Sequence, residues 1–193
     1  MTNTRRKFSE AAYFLMQMKA TPNDKDVFQH NLSAFLSAFR SITLFMQKEY
    51  AHIPNFAAWY ALQQATMKAD TFLSFFNSQR VLTIHEKPVA TRPQYQYYTP
   101  SIDLSKLVPG ERLTFTFTTN GDESGKPAIH ISDVTDRSLA IASEASAMTE
   151  WLFDDLSQQD NPDNNDVLTL CQAQLDKIEA RVSDCEQAFP TPQ

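Results

Sequence analysis

In the stretch SQRVLTIHE, Ser78 to Glu86, an arginine and a histidine stand five positions apart, and no other pair in the chain has as strong a claim to chemistry. Arg80 continues the apolar stripe of Leu73 and Phe76. A guanidinium so placed packs its stem and reaches solvent, pairs with a buried carboxylate, or lines a groove. Five positions separate His85 from it, about 140° around an ideal helix and about 7.5 Å along it. The two side chains therefore face different ways unless the helix end loosens, which Thr83, Ile84 and Pro88 would permit. A histidine ending a helix also has an ordinary role, a favourable contact with the helix dipole.

Other reactive residue types are poorly arranged for chemistry. Cys171 and Cys185 lie fourteen residues apart in one helical pattern, so about 21 Å of rise separates them. They cannot bridge each other, and their spacing does not bind zinc, which leaves buried apolar thiols as the expectation. Histidines 30, 52, 85 and 130 include no pair at ligand spacing, so no metal site is expected. The three glycines, Gly110, Gly121 and Gly125, all fall in the second half. Without a Gly-rich turn between strand and helix there is no P-loop, dinucleotide fingerprint or nucleophile elbow, and no cofactor is expected. Around TEWLFDDLSQ, the residues Trp151, Asp154 and Asp155 could hold a cation or serve as acid and base, although a solvated acidic surface explains them as well.

The elements that must position Arg80 and His85 are helical. The chain has 193 residues, 42% of them hydrophobic and 14 of them Phe, enough for a core in one domain or a main domain with an appendage. Phe8, Ala12, Leu15 and Met18 share a stripe; TPND then breaks the chain and offers Asn23 or Asp24 as a cap. Phe28, Leu32, Phe35, Phe39, Ile42 and Met46 repeat at three and four, the buried face of a second helix. Pro54 suits the first turn of a third, with Phe56, Trp59 or Tyr60, Gln63 and Met67 following. Asp70 or Thr71 can cap a fourth, TFLSFFNSQRVL. Short connections imply antiparallel neighbours.

After Pro88 and Pro93 the pattern changes. RLTFTFTTN and AIHISD alternate with a period of two around NGDESGKP, a β-hairpin, and YQYYT adds a possible edge strand. LAIASEASAMTEWLFDD is helix by its alanines and strand by TEWLF. QQDNPDNND reads as a loop. Leu168, Cys171, Leu175, Ile178, Val182 and Cys185 then mark a last helix, with Asp163 and Asp166 at its positive end. The fold class expected is mainly α (α+β), an antiparallel up-and-down helical bundle with a β-hairpin insertion before the last helix. Residues 1–90 and 163–189 would form the bundle and 91–162 the acidic insertion.

Charge follows this division. Residues 1–92 hold 11 Lys/Arg against 6 Asp/Glu, and residues 93–193 hold 6 against 17, within a net charge of −6. A polyanion would meet the helical half, unless the asymmetry only helps the halves dock. No apolar run is long enough to span a bilayer, and Glu10 and Gln17 interrupt any signal-like stretch, so no membrane association and a cytoplasmic location are expected.

Phe-rich antiparallel helices, a fourth helix ending in R-x4-H, and a last amphipathic helix packing back resemble the HEPN superfamily. The resemblance runs from about Lys7 to Glu86 and takes in Asp166 to Phe189. It implies metal-independent cleavage of single-stranded RNA, toxin-like, by a homodimer that brings two copies of Arg80 and His85 to one groove. Arg80 would hold the phosphate while His85 exchanges the proton. Val81 stands where the family commonly has a polar residue after the arginine, a departure that bears on catalysis more than on fold. The alternative implied is a non-catalytic HEPN-like module binding a nucleotide or a partner protein, an antitoxin among them.

Overall fold

The computed structural model describes residues 1–98, 113–118, 128–133, 146–156 and 165–190. Within them the order is α1 (Asn3–Ala20), α2 (Lys25–Tyr50), α3 (Phe56–Ala69), α4 (Thr71–His85), β1 (Thr91–Tyr98), β2 (Leu113–Thr118), β3 (Ala128–Asp133), β4 (Ser146–Phe153) and α5 (Val167–Ala188). The chain is mainly α, an up-and-down bundle with a β-hairpin inserted before its last helix. It divides into two compact units, Met1–Thr91 with Phe153–Gln193, and Arg92–Leu152.

Local chemistry sets the helix ends of the first unit. Asp24 caps α2 by accepting the Val27 N–H, and Asp166 caps α5 by accepting that of Thr169. Asp70 caps α4 through the N–H groups of Phe72 and Leu73. Pro54 falls short of the first turn expected for it. The turn into α3 is instead made by Asn55 at φ 67°, a left-handed conformation that asparagine tolerates better than most residues.

The expected stripe of α2 is buried throughout, from Phe28 to Met46. In α1 the buried line is Thr4, Ala11, Leu15 and Met18, with Phe8 and Ala12 at its margin. In α5 it is Cys171, Leu175, Ile178, Val182 and Cys185 joined by Val167, Leu170 and Gln174, while Leu168 is half-buried.

Directions follow from who meets whom. Glu49 at the end of α2 accepts the N–H groups of Asn3 and Thr4 at the start of α1, both at 2.8 Å. Arg5 pairs with Glu186 and Lys19 with Gln172, so α5 runs against α1. Gln47 bonds Tyr60 of α3, Phe35 and Phe39 pack on Phe76 of α4, and Gln29 reaches Thr91. Thus α3 and α4 run in succession back along α2, rather than against each other as short connections had implied. Their 14 and 15 residues give about 21 and 22 Å, which together match the roughly 39 Å of the 26-residue α2. Among the described residues the bundle has four rods, and one of them is broken at Asp70.

In the second unit β2 and β3 form the expected antiparallel hairpin, with Leu113 opposite Asp133 and Thr118 opposite Ala128. Its turn, Asn120 to Pro127, lies outside the described residues. β1 pairs with β4, so the YQYYT segment is strand as far as Tyr98, and the ambiguous segment is strand from Ser146. Residues 139–145, and 158–164 of the expected loop, lie outside the described residues.

Candidate functional site

Both residues of the Arg80/His85 pair sit on α4, which remains regular α-helix through His85. The loosening that would turn them to one side is not seen, so the 140° of an ideal helix stands between them. His85 is exposed in the last turn, beside Ile84, which is 47% exposed. Arg80 is half-buried, and its Nε is sealed from solvent without a hydrogen-bond partner. Among the described residues neither side chain makes a hydrogen bond or ion pair. Of the three roles open to Arg80, stem packing is the one seen, and a buried carboxylate partner is absent among the described residues. Val81, at 41% exposure, faces solvent.

The cysteines are both free and buried. Burial, and secondarily Asp166, pushes the Cys171 thiol well above its ordinary value. Burial pushes Cys185 up to about 12, helped by Glu186 and Glu49. Asp154 and Asp155 are exposed, and Asp155 accepts the Gln79 amide at 3.3 Å. Trp151 is buried in β4. Among the described residues no group of three or more His, Cys, Asp or Glu side chains could hold a metal ion.

A different site forms where the broken rod meets α2. A cleft of about 370 Å³ is lined from α2 by Leu36, Phe39, Arg40, Thr43 and Gln47. From α3 come Tyr60, Gln64, Met67 and Lys68, and from α4 Leu73, Ser74, Phe76 and Asn77, with Ile178 of α5 beneath. Each set recurs at three and four, so each helix contributes one face. The break at Asp70 parts α3 from α4 above α2: its N–H ends α3 on the Met67 carbonyl at 3.3 Å, and its Oδ1 opens α4. Asp70 Oδ2 also takes Lys177 Nζ at 2.7 Å, which neutralises that carboxylate. Burial raises its pKa, but the bonds from Lys177, Leu73 and Phe72 outweigh this and hold it below its ordinary value.

Comparison with known proteins finds one family likeness. A family model described as bacteriophage lambda protein ea47 matches residues 1–83. The match takes in α1 to α3 and most of α4, with every cleft-lining residue except Ile178, and it stops before His85. No curated protein and no solved structure matches the chain.

Sequence reasoning passed over the cleft because it followed the apolar stripe of α2. A second line, Leu36, Arg40, Thr43 and Gln47, runs beside that stripe at steps of four, three and four. Read together with a capping aspartate in mid-rod, this line was the signal available.

Proposed function

We propose that the chain is a non-catalytic, HEPN-like binding module rather than a ribonuclease. The observation that carries this reading is the state of Arg80 and His85. A metal-independent cleavage needs a phosphate-holding cation and a proton carrier within reach of one phosphate. Here a regular helix turns the two groups apart, and the guanidinium Nε is sealed from solvent. Val81, placed where the resembled family commonly has a polar residue, and the acidic second half both favour binding over cleavage of a polyanion. The likeness to bacteriophage lambda protein ea47 covers the helices that bear the α2–α4 cleft.

The test is incubation of the purified protein and its His85→Ala variant with labelled single-stranded RNA in EDTA, after light scattering has fixed the oligomeric state of both. Neither is expected to cleave. Cleavage by the wild type that the variant loses would replace this proposal with the dimeric ribonuclease that the R-x4-H resemblance implies.

A further inference from the structure

The cleft at the break between α3 and α4 combines two unneutralised cations with aromatic walls. Among the described residues Arg40 donates only to Thr43 Oγ1, at 2.5 Å, and has no carboxylate within ion-pair distance. Lys68, in the last turn of α3, has neither a hydrogen bond nor an ion pair. Among the described residues no carboxylate lines the cleft. Other cations of the helical half, Lys25 and Lys48 among them, also lack a carboxylate partner among the described residues; Arg40 and Lys68 differ in lining one concavity. An ordinary surface lysine or arginine gains little from pairing, but two cations that line one concavity both attract an anion that enters it.

The remaining walls describe the body of the ligand. Phe39, Phe76 and Tyr60 line one cleft with Leu36, Met67 and Leu73, and the Gln47 amide holds the Tyr60 hydroxyl at 2.7 Å. The amides of Gln64 and Asn77 make no bond within the described residues and offer both donors and acceptors. A volume of about 370 Å³ lies within the range of roughly 300–1,000 Å³ for small-molecule pockets, towards its lower end. An apolar, aromatic interior with a few polar groups at its edge is the usual composition of such sites.

Deepening the binding-module reading on which it rests, the geometry points to a ligand that is a flat-ring organic monophosphate. Its dianion lies between Arg40 and Lys68, and its ring lies against Phe39, Phe76 and Tyr60. Arg40, held by Thr43 at one edge of its fork, presents the rest of the guanidinium to the phosphate oxygens. The carboxylate of Asp70, beside the break, is occupied by Lys177 and so does not compete for either cation.

Phenyl phosphate is the probe, titrated into the full chain by calorimetry, with the side-chain amides of Gln64 and Asn77 followed by NMR. Saturable binding at one site per chain is expected, with shifts of both amides. Arg40→Gln and Lys68→Gln should each weaken it about tenfold or more, the effect of losing one charge-assisted bond, and His85→Ala should leave it unchanged. Inorganic phosphate, which lacks the ring, and benzoate, which lacks the second charge, should each bind about tenfold more weakly or worse. Melting of Lys68→Gln should match the wild type, since Lys68 is exposed and has no partner among the described residues, whereas Arg40→Gln loses the Thr43 bond and should melt lower while still folding, which circular dichroism checks. Absence of saturable binding, equal affinity in both variants, or inorganic phosphate or benzoate binding as well as phenyl phosphate would overturn the assignment. RNA cleavage alongside phenyl phosphate binding would remove the non-catalytic reading alone. Neither cleavage nor binding would remove the cleft assignment alone.

Discussion

Asp70 carries two separable loads, and replacing it by alanine and by asparagine should pull them apart. Its Oδ1 takes the Phe72 and Leu73 N–H groups at 3.0 and 3.2 Å, the cap of α4, while Oδ2 pairs with Lys177. Loss of an N-cap costs about 1 kcal/mol. The Lys177 side chain is 48% exposed, so its pair contributes no more than about 1 kcal/mol. Asp70→Ala should therefore cost about 1–2 kcal/mol, a fall of roughly 2–8 °C in Tm for a chain of this size. Asp70→Asn keeps a good cap and loses the pair alone, so it should retain about half of that stability. Thermal and urea unfolding followed by circular dichroism measure both. Equal losses in the two variants would refute the division of labour. A rise in Tm for Asp70→Ala would show that the rod prefers to run unbroken from α3 into α4, and that the break is imposed by packing rather than by this residue.

Acid should unfold the bundle through the same kind of group. Hydrogen bonds outweigh burial in holding Glu49, Glu186 and Asp70 below their ordinary values of 4.5, 4.5 and 3.8. A depressed folded pKa gives stability that is present above the ordinary value and lost as pH falls through the folded one. Urea midpoints should accordingly be level above about pH 5 and decline below about 4.5, and Glu49→Gln should flatten that decline; a midpoint that rises on acidification would contradict it. Cys171 and Cys185, buried and raised, should resist a thiol reagent at pH 8 in the native protein and react once urea unfolds it. Rapid native labelling of either would mean that α5 opens locally.

The helices were legible because burial in this bundle follows period. Phe28 to Met46 could be written down as a buried face from spacing alone, while the caps were narrowed to Asn23 or Asp24 and to Asp70 or Thr71, of which the structure uses Asp24 and Asp70. Asp166, expected only as a charge at the positive end of α5, proves to be its cap. The hairpin was legible for the same reason with a period of two. What spacing could not convey was direction. A short link between two helices reads as a reversal, yet the Ala69–Asp70–Thr71 link only breaks a rod, because α2 is long enough to support both pieces. The cleft was hidden with it, since Arg40 and Lys68 are 28 positions apart and line one cleft only once α3 has turned back along α2.

The same geometry explains why R-x4-H reads more boldly in one dimension than in three. A spacing of four or seven would have stacked arginine and histidine on one face, but five does so only on a distorted helix. Leu82 accepts the N–H groups of both Glu86 and Lys87, at 2.8 and 3.0 Å, which closes the last turn of α4 around His85 and keeps it regular. With that turn closed, the histidine is left at the solvent and the arginine lies along the packed side of its helix, where the stem is covered and Nε is cut off from water. Such burial gives the guanidinium nothing catalytic, and its unpartnered Nε carries a desolvation cost. Arg40 and Lys68, facing an open concavity without counter-ions, have the opposite balance: an arriving anion adds attraction without first breaking an ion pair. On that comparison the break in the third rod suits an anion better than the end of α4 does.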